Sequence, residues 1–447
     1  MFMVTNTRAL PRAGLLGLLL MALGGLTVSP PAEAVPAFAR QMGVACNTCH
    51  YQHFPLLNSF GRAFKASGYT MSGTSNIESD HFSLPSTLNA ALFTNIRFQK
   101  TNGTKTPGSP TSDNGEWIIP GETSLFVGGR VNEHLGALVE GDVGGAGAAT
   151  GAGFLASLKL PLVYQVGDGM NVGVVPFTSG LGPAYAFEVL NTGAVGNHVM
   201  TLVHPTAVSA QQYVQVGAGT TYNDYGGDAE GVGVFAATGS YFVTAAKWSP
   251  NHIALNTDSA ANASPTANYL RAAITPTFGG WDWGFGIQYM DGKSAFAGPP
   301  LDRVRTKAYA VDAQMQGDLN HMPLGVYLSY AAAPETAAGK TPNLYNPNPN
   351  RKHAVSLAGE LGAFSDGRGT LELAYRWADD GAATNSSDNA VTLGVTYLLS
   401  HNAQMALLHT KYMGDAHDSA NPTPLPMGGG ASGSGDQLTS VNFAVGF

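Results

Sequence analysis

The chain has 447 residues, of which 57 are glycine and 12% are charged, against an ordinary hydrophobic content of 44%. So much glycine with so few charges argues against a large soluble multidomain enzyme. A formal net charge of −8 leaves no basic excess for a polyanion, and nucleic acid is set aside as a partner.

The first 34 residues read as a secretory signal peptide. Arg8 and Arg12 form a charged n-region, residues 13–28 an apolar h-region, and Ala32-Glu33-Ala34 a small-residue cleavage site that makes Val35 the expected mature N-terminus. A retained transmembrane helix is the competing reading. The apolar run is short for a bilayer span and is interrupted by Gly24 and Gly25.

The only two cysteines stand in the string Cys46-Asn47-Thr48-Cys49-His50. This is the spacing of a covalent c-type haem attachment site, in which the two thiols hold the haem and the following histidine reaches the iron. A structural disulfide, a thioredoxin-like redox pair and half of a zinc site compete with it. The zinc reading lacks a second cysteine pair, and the redox reading lacks a surrounding βαβ pattern and has no use for the histidine. With an export signal ahead of it, the motif predicts one haem c bound by Cys46, Cys49 and His50, outside the cytoplasm.

A second axial ligand must come from further along. His53 lies three residues after His50 and on a helix projects from the same side, while Met42 sits too close before the motif. Met71 is the preferred candidate and His81 the alternative, because both leave chain enough to wrap the ring and a thioether raises the potential. Phe38, Phe54, Leu56, Leu57, Phe60, Phe64 and Tyr69 supply apolar bulk for a haem pocket, and Arg40, Arg62 and Lys65 are candidates to pair with the propionates.

Beyond about residue 85 the chain changes to period-two alternation broken by Gly, Asn, Asp and Ser turns, the pattern of a transmembrane β-barrel. Leu371, Leu373, Tyr375 and Trp377 alternate with Glu372, Ala374 and Arg376, so one face suits lipid and the other water. Leu88, Ala90, Leu92, Ile96 and Phe98 alternate likewise with Asn89, Asn95, Arg97 and Gln99, although Phe93 falls on the polar face. Short turns are expected near 132–134, 167–169, 249–252, 278–281, 317–320, 365–369 and 400–402, separated by long polar connections such as 334–350 and 419–435. Seven hairpins plus a first and a last strand give about 16 strands. The stretch 180–233 leaves room for one more hairpin around Tyr213-Val214-Gln215-Val216. The final strand, with Val441, Phe443, Val445 and Phe447 on one face, ends on an aromatic residue and resembles the assembly signal of outer-membrane barrels.

Charges expected in the lumen are mixed: Arg97, Arg130, Lys159, Arg271 and Arg376 against Glu122, Glu140, Asp142, Asp312, Glu360 and Glu372. No compact His/Asp/Glu cluster is visible at the spacing of a tight iron site, so any iron contact is expected to be transient and carboxylate-rich.

Together the two parts resemble the fused outer-membrane monohaem cytochrome-porins of iron-oxidising bacteria. The resemblance is carried by Val35-Pro36-Ala37-Phe38-Ala39-Arg40-Gln41, Cys46 to His50, Phe54-Pro55-Leu56-Leu57-Asn58 and Gly61-Arg62-Ala63-Phe64-Lys65-Ala66-Ser67-Gly68-Tyr69. It is specific over roughly residues 35–100 and architectural beyond. It implies a signal peptide (1–34), a small helical monohaem cytochrome c domain (35–84) and a porin-like barrel (85–447). The implied activity is oxidation of extracellular Fe(II), with the electron passed through one haem c to a periplasmic c-type cytochrome. The apolar band of such a barrel is about 25 Å tall, so a haem at one rim connects the two sides poorly. The haem segment is therefore expected to enter or plug the lumen. Two other functions stay open: a porin-type channel whose haem segment is a plug or sensor, and a surface cytochrome for another electron donor.

Overall fold

The computed structural model describes residues 36–80, 82–103, 115–145, 154–180, 182–193, 210–215, 229–250, 265–295, 303–364, 367–417, 425–426, 432–433 and 435–447. The proposed signal peptide and His81 lie outside the described residues.

The strands in chain order begin with a small hairpin, β1 (Asn76–Ser79) and β2 (Phe82–Pro85). The wall follows as β3 (Ala90–Thr101), β4 (Glu116–Arg130), β5 (Gly136–Gly145), β6 (Leu155–Lys159), β7 (Leu162–Val166), β8 (Met170–Ser179), β9 (Ala229–Ala237) and β10 (Tyr241–Ser249). It continues through β11 (Ala267–Ile274), β12 (Thr277–Phe278) and β13 (Trp281–Asp291). A short pair, β14 (Lys293–Ala295) and β15 (Arg303–Arg305), stands off the wall before β16 (Ala308–Leu319), β17 (Met322–Ala333), β18 (Lys352–Gly362), β19 (Gly369–Asp379), β20 (Asn389–Ser400) and β21 (Ala403–Met413). A last short pair, β22 (Leu425–Pro426) and β23 (Ser432–Gly433), precedes β24 (Gln437–Gly446), which pairs with β3 and closes the barrel.

Every pairing around the wall is antiparallel, and two wall strands are each split by a proline. β6 and β7 both pair with β8 in one continuous register across Leu160-Pro161, and β11 and β12 both pair with β13 across Thr275-Pro276. Proline has no N–H to give the ladder, so pairing lapses there without a change of register. Counting each split strand once, the described residues form a closed 16-stranded antiparallel barrel.

Alternation sets which face each side chain takes. On β19, Leu373 is 55% exposed to the outside, whereas Glu372 and Arg376 are each 4% exposed on the inside. Asn95 and Gln99 of β3 are likewise buried in the lumen. An outer surface of Leu, Val, Ile, Tyr and Trp around a polar interior suits a bilayer, and a closed ladder satisfies the backbone there. The chain is an outer-membrane β-barrel, with its short turns on one end, the periplasmic side of such barrels.

Six of the seven expected short turns fall where the sequence placed them, and one does not. β10 runs through Ser249, so 249–252 is not a hairpin turn; the turn lies at Thr238 to Ser240. Thr238 Oγ1 accepts from the N–H groups of Ser240 and Tyr241, an internal cap that closes the hairpin without the proline that made Ser249-Pro250 look like a turn. The hairpin suggested around Tyr213 is also replaced, by a helix from Ala210 to Gln215 inside the barrel. Its Ala210 N–H donates to Ser329 and Ser356 of β17 and β18. Ala and Gln favour helix, and a segment wholly inside the lumen has no ladder to join.

The segment 36–75 fills the short-turn end of the lumen. It contains a helix at Pro36–Met42, a 3-10 turn at Cys46–Thr48 and a helix at Ser59–Ala66. It is pinned to the wall at many points. Tyr51 Oη donates to Gly317 O (2.7 Å), Gln52 Nε2 to Glu360 O (3.1 Å), and Gln404 Nε2 to Phe54 O (3.1 Å). Arg62 pairs with Asp282, and Leu57 exchanges two hydrogen bonds with Asn191 on an inward loop after β8. The expectation that this segment enters the lumen agrees with its position.

The two faces predict different tolerance of substitution. Leu373→Arg at mid-strand is expected to destabilise the folded barrel by about 2–4 kcal/mol. Thr392→Ser, which keeps the lumen hydroxyl bonded to Thr410, should stay within about 1 kcal/mol. Reversible denaturant unfolding in lipid measures both.

Candidate functional site

The cysteine motif lies in the plug, on a turn made by its own backbone. Cys49 N and His50 N both donate to Cys46 O, at 3.1 and 3.0 Å, so the two cysteines and the histidine share one tight turn. No disulfide joins Cys46 to Cys49. Asn58 fastens this turn to the second plug helix. Its Oδ1 caps the helix by accepting from Gly61 N, its Nδ2 donates to Thr48 O (3.0 Å), and its backbone N–H donates to Cys49 O (3.0 Å). A Cβ at Gly61 would collide with Cys49 O, so glycine lets the helix pack directly on the motif.

His50 is oriented by the backbone of the plug. Its Nδ1 lies 3.0 Å from Leu56 O, and a proton on Nδ1 donated to that carbonyl leaves Nε2 as the lone-pair nitrogen, the usual outer-shell arrangement of a metal-binding histidine. Burial, with a smaller contribution from His53, pushes its imidazolium down to about 4, so the ring is neutral at and well below pH 7. Burial also raises the Cys49 thiol, the opposite of the lowered value a thioredoxin-like pair needs.

His50 faces a largely apolar pocket with about 690 Å3 of empty space, part of it open to solvent. Phe54, Pro55 and Pro36 line it from the plug, and Phe93 and Phe126 from the lumen face of the wall. Phe93, the apolar residue out of place on the polar face of β3, is thus explained by what it covers. A thiol pair, a preset imidazole and an adjoining apolar space fit a c-type haem.

Other expected pocket residues are used differently. Phe38 stacks on Tyr69 (centroids 5.0 Å apart) with Phe64 against both, an aromatic core for the plug itself. Arg40 donates to Leu88 O and Ala90 O at the start of the wall, and Arg62 pairs with Asp282, so two of the three propionate candidates are engaged by the protein itself. Met71 is tied through its backbone to Gln41 and Ser67 and is not among the residues lining the His50 pocket.

The structure also corrects the expectation that no compact metal-type cluster exists. His53, Glu360 and Glu372 meet inside the barrel, with potential ligand atoms all within 4.8 Å of one another. His53 Nε2 lies 3.2 Å from Glu360 Oε2 and 3.9 Å from Glu372 Oε1. Burial opposes a charge on His53, but the two carboxylates outweigh it and raise its pKa to about 9. Sequence spacing gave no sign of this group, because more than 300 residues separate the plug histidine from the wall glutamates. The detectable signal was narrower: the 12-residue spacing of Glu360 and Glu372 around a short turn, which sets them opposite each other on β18 and β19.

No family model and no curated protein matches the sequence. Among solved structures, the chain is similar in fold to the in-vitro folded trimer form of OmpT from Vibrio cholerae, with 13% identity over 81% of this chain and 99% of that one and a TM-score of 0.46. It is likewise similar to an anion-selective porin from Comamonas acidovorans (14% identity, 80% and 98% covered, TM-score 0.46) and to Salmonella typhi OmpF in complex with daunomycin (12% identity, 83% and 100% covered, TM-score 0.47).

Proposed function

We propose that this barrel oxidises extracellular Fe(II) and delivers the electron to a periplasmic c-type cytochrome, using one haem c held by Cys46, Cys49 and His50. The observation that carries the reading is the position of the motif: a haem-attachment string with its histidine preset by Leu56 O, held inside the periplasmic mouth of an outer-membrane barrel. Haem bound there supplies a one-electron redox centre. The chain's own residues do the rest. Asn58 and Gly61 hold the cysteine turn against the plug helix, while Tyr51, Gln52, Leu57 and Arg62 fix the plug to the wall. Asn47, in the middle of the motif, is exposed, which leaves an approach for a periplasmic partner.

Iron must then come to the plug through the lumen from the long-loop side, where ferric product does not precipitate inside the periplasm. A porin-type channel with a haem-bearing plug is the second reading, favoured by the 16-stranded wall and polar lumen. Against free passage stand the many bonds between plug and wall. A surface cytochrome for another donor is separated from the iron reading by which donors reduce the purified protein.

Anaerobic titration of the oxidised full-length protein with Fe(II), without acceptor, is expected to convert its absorption spectrum to the reduced form. Spectra that stay oxidised under excess Fe(II) at the growth pH would overturn the iron reading, and conductance without iron-driven reduction would favour the channel.

In this reading Met71, although it does not line the His50 pocket, would supply a thioether to the haem iron alongside His50. Met71→Ala is expected to abolish any sulfur-to-iron charge-transfer band and to lower the reduction potential while leaving the barrel assembled. An unchanged band and potential would move the assignment to His81.

A further inference from the structure

Two other groups of lumen carboxylates are each paired with a cation. Glu188 and Asp312 share Arg271, whose Nε lies 2.8 Å from Glu188 Oε2 and whose guanidinium donates twice to Asp312. Asp388 is paired with Arg376 and His417. Among the described residues, no guanidinium pairs with Glu360 or Glu372. They are direct partners across β18 and β19, 0% and 4% exposed, so two carboxyl groups stand face to face where water does not screen them. Among the described residues, none of their four carboxylate oxygens makes a hydrogen bond of normal geometry, although the Thr396 hydroxyl lies beside Glu372, and neither does His53 Nε2, whose 3.2 Å approach to Glu360 is an ion-pair contact. A protonated His53 supplies at most one positive charge against two negative ones. Orphaned buried polar atoms that converge on one point call for a further occupant.

We propose that His53, Glu360 and Glu372 bind a divalent first-row transition-metal ion such as zinc(II) or iron(II). One imidazole nitrogen and two carboxylates suit these ions, whereas calcium and magnesium prefer all-oxygen sets. Ligands bound at about 2.0–2.2 Å stand about 3–4 Å apart, and the observed separations of 3.2 and 3.9 Å match. A dication also neutralises the facing pair. Because His53 belongs to the plug and both glutamates to the wall, the ion ties one to the other. The site lies three residues from His50 yet does not depend on haem.

The test uses full-length protein purified in detergent, freed of metal with a chelator and dialysed against zinc(II), with bound zinc counted separately from iron. One tightly held equivalent is expected. Glu360→Gln with Glu372→Gln, which keeps the shape and removes the charge, should weaken it at least tenfold, and His53→Ala should weaken it as well. Heat-modifiable migration on gels confirms that each variant is a folded barrel. The Cys46→Ala, Cys49→Ala protein should bind the same equivalent, so failure of the haem reading and failure of this one are distinguishable. Equal zinc binding by the wild type and the double variant would overturn the proposal and leave the cluster as an ion pair that anchors the plug. A wild type that holds no zinc would overturn it equally.

Discussion

Everything in this molecule depends on the backbone hydrogen bonds that close β24 onto β3. In hydrocarbon no water satisfies a strand edge, so the wall is stable only as a complete ring. The last strand meets the first with Val441 opposite Phe98 and Phe443 opposite Ile96, and Phe447 exchanges both backbone bonds with Leu92. With the ring closed and the strand period fixed at two, each residue faces either lipid or lumen, and slipping one strand by a residue would reverse its faces. The two prolines that interrupt β6–β7 and β11–β12 cost local bonds but keep the register, so the ring survives them.

Closure creates the second constraint. The lumen of a ring this size is filled by chain as well as side chains: the plug at the periplasmic end, the loop 182–193 deeper in, and the helix Ala210–Gln215. Charged wall residues thereby lose water and need partners. Arg271 between Glu188 and Asp312 shows the fold meeting that need in one place. The His53 cluster brings two facing carboxyl groups to a single imidazole. The Cys46–His50 turn sits where these constraints meet, with His50 held by the plug's own backbone and its pocket finished by Phe93 and Phe126 of the wall.

Much of this was legible in the sequence because it was local. Five consecutive residues carry the Cys-x-x-Cys-His string that the plug folds into one turn, and two-residue alternation marks the strands from Leu371 to Trp377 without knowledge of their neighbours. What was not legible required the third dimension. Ser249-Pro250 has turn chemistry but lies at the end of a strand, while Thr238-Gly239-Ser240, with weaker turn residues, makes the hairpin. Tyr213-Val214 reads as a strand, yet inside the ring it has no edge to pair with and becomes helix. Phe38, Phe64 and Tyr69 suit a haem pocket by composition, but the fold spends them on one another. His53 looked idle because its partners, Glu360 and Glu372, reach it only after the ring has closed around the plug.

The central claim is that Cys46 and Cys49 carry haem covalently in a plug held within the barrel. The most direct measurement is the intact mass of the protein isolated from outer membranes, with peptide mapping of the region 36–75. The expected mass is that of the mature chain plus one haem, retained by the Cys46–Cys49 peptide after acid-acetone extraction. A mass equal to the chain alone, with both cysteines as thiols or joined in a disulfide, would contradict it.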